Sequence, residues 1–148
     1  FLFWKSNNLV YYSIMSKEAI RYLENAKELL SKSPIEDNRY YTDVKYVQEA
    51  CGTVYLAILK AIDEYLLKRG LTKKELPKSV DGYRRVLQKY IVVHNGKLLK
   101  EFEILYEELH IAGYYRGNLQ SVGAIKELLK DAKSFIGKIG LWNRQQFY

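Results

Sequence analysis

Apolar residues recur three and four positions apart over nearly the whole chain, the spacing that lines one face of an α-helix. No stretch bounded by turn residues alternates apolar with polar in the two-residue rhythm of a strand, so the pattern predicts helices throughout and no sheet. The first firm helix starts near Ser16, a good N-cap, with Glu18 in the first turn where the helix dipole favours an acid. Its core stripe is Ala19, Ile20, Leu23, Ala26 and Leu30, and Ser33-Pro34 ends it before a polar loop through Asn38. The second helix, about Thr42 to Arg69, is capped by Thr42-Asp43 and stopped by Gly70, and at 1.5 Å per residue it reaches about 40 Å. It is therefore the spine. Its stripe runs Val44, Val47, Cys51, Val54, Ile58, Ala61 and Tyr65, widened by Ile62 and Leu66. Gly52 in mid-helix costs about 1 kcal/mol against alanine, which predicts a close approach by a neighbouring helix there.

Past Pro77, Ser79 caps a third helix with Tyr83, Val86, Leu87, Tyr90 and Ile91 on one face and Arg84, Arg85, Gln88 and Lys89 on the other. His94-Asn95-Gly96 breaks it. A fourth helix shows Leu98, Leu99, Phe102, Leu105, Tyr106 and Leu109 before Gly113, and Tyr114 to Asn118 reads as a turn. Ser121 caps a fifth helix with a stripe from Ile125 to Ile139, closed by Gly140. The expected architecture is an all-α, up-and-down bundle of four to five helices over residues 16–140, with a C-terminal tail at 141–148. Residues 1–15 differ in composition, and Met15-Ser16 has the look of a translation start, so this stretch is expected to be a peripheral extension.

At 148 residues the chain suits one domain, which buries roughly 70% of its unfolded surface. Its single cysteine allows no intrachain disulfide and points to a reducing, cytoplasmic setting. Polar residues Lys5 to Asn8 interrupt the apolar N-terminus well short of the ~18 residues a membrane span needs. Lysine and arginine number 24 against 17 acids, which favours anionic partners, although no basic run of five occurs. The fourteen tyrosines suit an interface, because the ring buries while the hydroxyl still bonds.

Catalytic chemistry finds little support. Neither form of the Gly-rich phosphate loop is present. His94 and His110, sixteen residues apart, would stand about 24 Å from each other along a helix and cannot share a metal within one chain. Cys51 lies on the apolar stripe, where a buried inert thiol is expected. Glu101, Glu103, Glu107 and Glu108 read as a solvated face, and no nucleophile, cofactor or metal site is expected. Two clusters remain as candidate binding residues. Arg85 and Lys89, four apart with His94 at the helix exit, could cradle a phosphate. Tyr114, Tyr115 and Arg116 could stack a base or hold a partner chain, and the alternative for both clusters is an ordinary solvated or bundle-closing role.

The segments ACGTVYLAILKAIDEYLLKRG (50–70), LYEELHIAGYY (105–115) and the 121–139 helix ending in Ala-x-x-Phe-Ile resemble the HEPN domain, a helical bundle of prokaryotic RNA-processing and defence systems. The chain is also similar to a family of small Bacteroidetes proteins of unknown function. The HEPN resemblance implies a bundle, a homodimer and, in the ribonucleases, an arginine followed after four to six residues by a histidine. That spacing fails here. Before His94 the eligible positions are Leu87, Gln88 and Lys89, and before His110 they are Glu103, Ile104 and Leu105. The family's arginine and aspartate near Tyr114 are replaced by Leu109 and Gly113. The expectation is a non-catalytic, homodimeric binding module with no membrane contact and a possible protein partner. The alternative is an RNA- or nucleotide-binding protein with weak ribonuclease activity through Lys89, His94 and Arg116.

Overall fold

The computed structural model describes residues 16–92 and 96–145. Helix α1 spans Lys17–Ser31, and Ser16 caps it by accepting the Ala19 N–H at 3.2 Å. Ala19, Leu23, Ala26 and Leu30 of the expected stripe are buried, while Ile20 is only partly buried at its edge.

After α1 the chain makes a small antiparallel ribbon, β1 (Ile35–Glu36) and β2 (Tyr40–Tyr41), with Ile35 opposite Tyr41. This corrects the expectation of a plain loop and no sheet. Two residues per strand are too few to show an alternating pattern, and the turn carries the structure instead. Asp37 and Asn38 both take positive φ (53° and 56°), the geometry of a primed hairpin turn that Asp and Asn tolerate. Main-chain bonds then fasten the ribbon to the far end of the sequence, from Tyr41 N–H to Gln120 O (2.9 Å) and from Val122 N–H to Arg39 O (2.8 Å).

Helix α2, Val44–Lys68, starts at Asp43, whose carboxylate accepts the Lys45 N–H. It ends in a left-handed glycine: Gly70 has φ 98°, Gly70 N–H bonds Leu67 O, and Leu71 N–H bonds Leu66 O. That pair of bonds satisfies the last carbonyls of the helix. Buried residues run around much of α2, including Val47, Ala50, Cys51, Val54, Tyr55, Ile58, Ile62 and Leu66. It is the spine, and α1, the later π-helical segment and α5 all pack on it.

A short 3₁₀ turn at Lys73–Glu75 leads to α3, Val80–Leu87, which widens into a π-helical turn at Gln88–Val92. Helix α4, Lys97–Leu105, continues without a break as a π-helical segment, Tyr106–Tyr115. The expected stop before Gly113 and the tyrosine turn at 114–115 are thus corrected: helical bonding carries through Tyr115, and Arg116 N–H still reaches back five residues to Ile111 O at 2.9 Å. Helix α5 spans Val122–Gln145, past the expected stop at Gly140. Helical glycine bears only a propensity cost, so packing of the Ile136 and Ile139 face carries the helix through it. The whole is an all-α bundle with one core, centred on Tyr65, Phe102, Phe135, Ile58 and Ile62.

Candidate functional site: a ring-lined groove beside a π-helical segment

π-Helical turns are rare and usually single, because the wider ring loosens axial packing, and they gather at functional sites. Here one runs for ten residues and lies against α2. Two glycines set that contact. A Cβ on Gly113 would fall 2.7 Å from both Cβ and Sγ of Cys51, and a Cβ on Gly52 would fall 2.9 Å from the Tyr114 ring. Gly52 therefore has the close-approach role its mid-helix position predicted, and its neighbour is a tyrosine ring from the π-helical segment.

Tyr106, His110 and Tyr114 follow at four-residue steps and form a ladder. The ring centroids are 5.6 Å apart for Tyr106 and His110 and 5.7 Å for His110 and Tyr114. Tyr55 of α2 stacks against His110 at 4.8 Å and tilts against Tyr106 at 5.9 Å. The ladder ends at Arg84, whose guanidinium lies 5.2 Å over the Tyr106 ring. Arg84, on the polar face of α3, grips Glu103 through two nitrogens (Nη2 to Oε2, 3.1 Å) and Asp81 through a third at 2.7 Å. Those carboxylates hold its proton even more firmly than usual. Glu103 and Glu101 leave the expected solvated face, since Glu101 binds Lys138 at 2.6 Å, whereas Glu107 and Glu108 are exposed as expected.

Between α2, the start of α3 and the ladder lies a groove of about 320 Å³. Tyr55, Tyr83, Tyr106 and His110 supply its rings, Leu59 and Val80 its apolar wall, and Lys78 and Ser79 its rim. Tyr83 donates to Asp63 Oδ1 at 2.8 Å. Burial pushes the Asp63 carboxyl above its ordinary range, opposed by that bond, and burial with the adjoining carboxylate raises the Tyr83 phenol strongly. Burial raises the Tyr55 phenol to about 12. Cys51, under Gly113, is buried and its thiol is pushed up to about 12, so it is inert as a nucleophile at neutral pH.

The candidate binding residues separate into two places. Arg85 and Lys89 are exposed on α3 and its π-helical turn, with Lys89 Nζ 5.2 Å over the Tyr90 ring; His94 lies outside the described residues. The Tyr90 carbonyl accepts from the Tyr65 hydroxyl at 3.4 Å, while Tyr114 sits over Gly52. Those α2 positions are thirteen residues, about 20 Å, apart, which sets Lys89 beside Tyr90 well away from Tyr114 within one chain. Tyr114, Tyr115 and Arg116 do share one spot, at the exposed end of the ladder. His110, Tyr55 and Tyr106 were not among the candidates. The signal for Tyr106 and His110 is the Tyr-x₃-His-x₃-Tyr spacing through Tyr114, which sets three rings on one helical face; Tyr55, on α2, carries no such local signal. Among the described residues no cluster of three or more His, Cys, Asp or Glu could hold a metal, and no helix is long and apolar enough to cross a membrane.

Residues 14–140 match a family described as "Domain of unknown function (DUF5618)". The chain belongs to the DUF5618 family. A solved structure of a protein of unknown function from Dyadobacter fermentans is similar to this chain, 32% identical, with a TM-score of 0.67, covering 83% of this chain and 90% of that one. This neighbour bears out the resemblance to Bacteroidetes proteins of unknown function. No curated protein matches the DUF5618 chain.

Proposed function

We propose that this DUF5618 protein is a non-catalytic interaction module of the cytoplasm, HEPN-like in build, and that its partner is a second copy of itself. One observation carries the reading. Four large apolar side chains stand exposed at the end of the bundle where the β1–β2 ribbon meets the turn after the π-helical segment: Ile35, Tyr40 and Tyr114, each about half exposed, and Tyr115 at 76%. The 40–121 bridge and the bond from Gln48 Nε2 to Tyr114 O (3.0 Å) hold these elements at that one end. Grouped exposed rings of this kind mark association surfaces, whereas scattered ones do not. Sedimentation equilibrium should find a dimer that Tyr115→Arg dissociates. A strict monomer at high micromolar concentration refutes the reading.

A second reading draws on Arg39 and Arg116, both exposed beside those rings, and on the chain's surplus of seven positive charges. Rings and guanidinium groups together suit single-stranded RNA. Its affinity would fall steeply with salt through counterion release, and absence of binding at low salt discards it. A ribonuclease using both Lys89 and Arg116 would need them from different chains, since one chain holds them apart.

A further inference from the structure

We propose that the groove between α2, the Pro77–Val80 segment and the ring ladder is a binding site for a small planar aromatic acid. The groove shares no lining residue with the exposed ribbon end, although Tyr114 of that end stacks on His110 of the groove.

Three features of the groove point to such a ligand. The first is Tyr55. It lines the groove and is only 6% exposed, yet among the described residues its hydroxyl has no hydrogen-bond partner. Buried phenols nearly always find a partner in the protein or in whatever fills the space beside them, so this hydroxyl is left to bond what the groove holds. The neighbouring Tyr83, equally buried, obeys the rule through Asp63. With its proton held firmly by burial, the Tyr55 hydroxyl is a standing donor for an acceptor brought from outside.

The second is His110, which also lines the groove. It stacks on three tyrosines, and neither ring nitrogen bonds any described residue. An imidazole offers at least one N–H donor in either protonation state. Two unused polar groups beside packed rings suit a flat molecule whose edge accepts hydrogen bonds.

The third is charge. Arg84 is closed off by Glu103 and Asp81, and Asp63 is engaged by Tyr83. Lys78 at the rim is exposed, and no described carboxylate lies within ion-pairing distance. The uncompensated charge lining the groove is therefore positive, and its complement is an anion. A volume of about 320 Å³ sits at the lower end of small-molecule sites, enough for one ring system and a carboxylate. Another groove, of about 270 Å³ along Glu101, Asp131 and Lys138, offers no such vacancy, because Glu101 and Lys138 already close on each other.

The test is titration of the full chain, read at the His110 imidazole by NMR. The probes are indole-3-acetate, indole without the acid, cyclohexanecarboxylate without the flat ring, and adenosine monophosphate. Indole-3-acetate should saturate the site and bind at least about tenfold tighter than either single-feature probe, the usual worth of a charge-assisted bond. Tyr55→Phe should weaken it about tenfold without lowering the melting temperature of the unliganded protein, since the hydroxyl bonds no described residue. Lys78→Gln should weaken binding by a similar factor with no change in melting temperature. Equal affinity for all probes, no saturation at millimolar concentration, unchanged binding by Tyr55→Phe, or a lowered melting temperature in that variant each overturns the proposal. Preference for adenosine monophosphate overturns the assignment to an aromatic carboxylate.

Discussion

Helix α1 and the π-helical segment both pack on α2, and they do so in different ways. Helix α1 presents Ala19, Leu23, Ala26 and Leu30, a regular apolar stripe in which small and large residues alternate. The π-helical segment instead reaches α2 through bare backbone at Gly113, a ring laid over Gly52, and a stack of tyrosine and histidine. The first contact only excludes water. The second also leaves polar groups, the Tyr55 hydroxyl and the His110 nitrogens, at a groove and unbonded to any described residue. Both interfaces bury apolar surface, but only the irregular one presents polar groups to a groove.

The comparison can be broken by substitution, starting where the loss is greatest. Phe102 is fully buried and tilts against Tyr55 at 6.5 Å and Phe135 at 6.3 Å. Phe102→Ala should cost about 3–5 kcal/mol in urea unfolding and flatten the near-ultraviolet circular dichroism of the ladder. Leu23→Ala, on the α1 side, should cost about 2–5 kcal/mol and spare that signal.

Alkaline titration comes next. The unfolded chain ionises Tyr55 near 10, whereas the folded protein holds that proton to about 12. Stability must then fall as pH rises between those values, and Tyr55→Phe should remove roughly 2–3 kcal/mol of that fall in denaturation curves. Asp63 works in the same sense at the acid end. Its folded carboxyl is raised above 3.8, so acidification through the raised value adds stability, and Asp63→Asn should abolish that gain.

A pair of glycines sharpens the contrast further. Gly113→Ala drives a Cβ into Cys51 and should destabilise by about 1–3 kcal/mol. Gly123→Ala, in the exposed first turn of α5, meets nothing nearer than Ser121 Oγ at 3.9 Å and should stabilise by up to about 1 kcal/mol. Equal effects from the two would dissolve the distinction. Last, Ser16→Ala removes the cap of α1 and should cost about 1 kcal/mol in thermal unfolding without touching the rings.

The plain interface was legible in the sequence and the irregular one largely was not. Apolar spacing, Ser16, Asp43, Ser79 and Gly70 marked helices and caps because each acts locally. Leucines and tyrosines four apart fit an α- or a π-helix equally, so Leu105 through Tyr115 disclosed its burial and concealed its winding. The Arg84–Glu103 grip was hidden for another reason: it joins residues nineteen apart, and nothing local fixes how two helices are turned toward each other. The sequence marked Tyr114 and Tyr115 as rings for either binding or closing the bundle, but the groove beside them depends on Tyr55, 59 residues before Tyr114.

The lid that Gly113 forms over Cys51 makes the lone thiol a clock. An alkylating reagent can reach that sulfur only after the overlying segment has lifted, so its labelling rate in native buffer reads out the frequency of that opening. A molecule lodged in the groove would clamp the same segment and slow the clock, giving a covalent signal of occupancy from a side chain the ligand never touches.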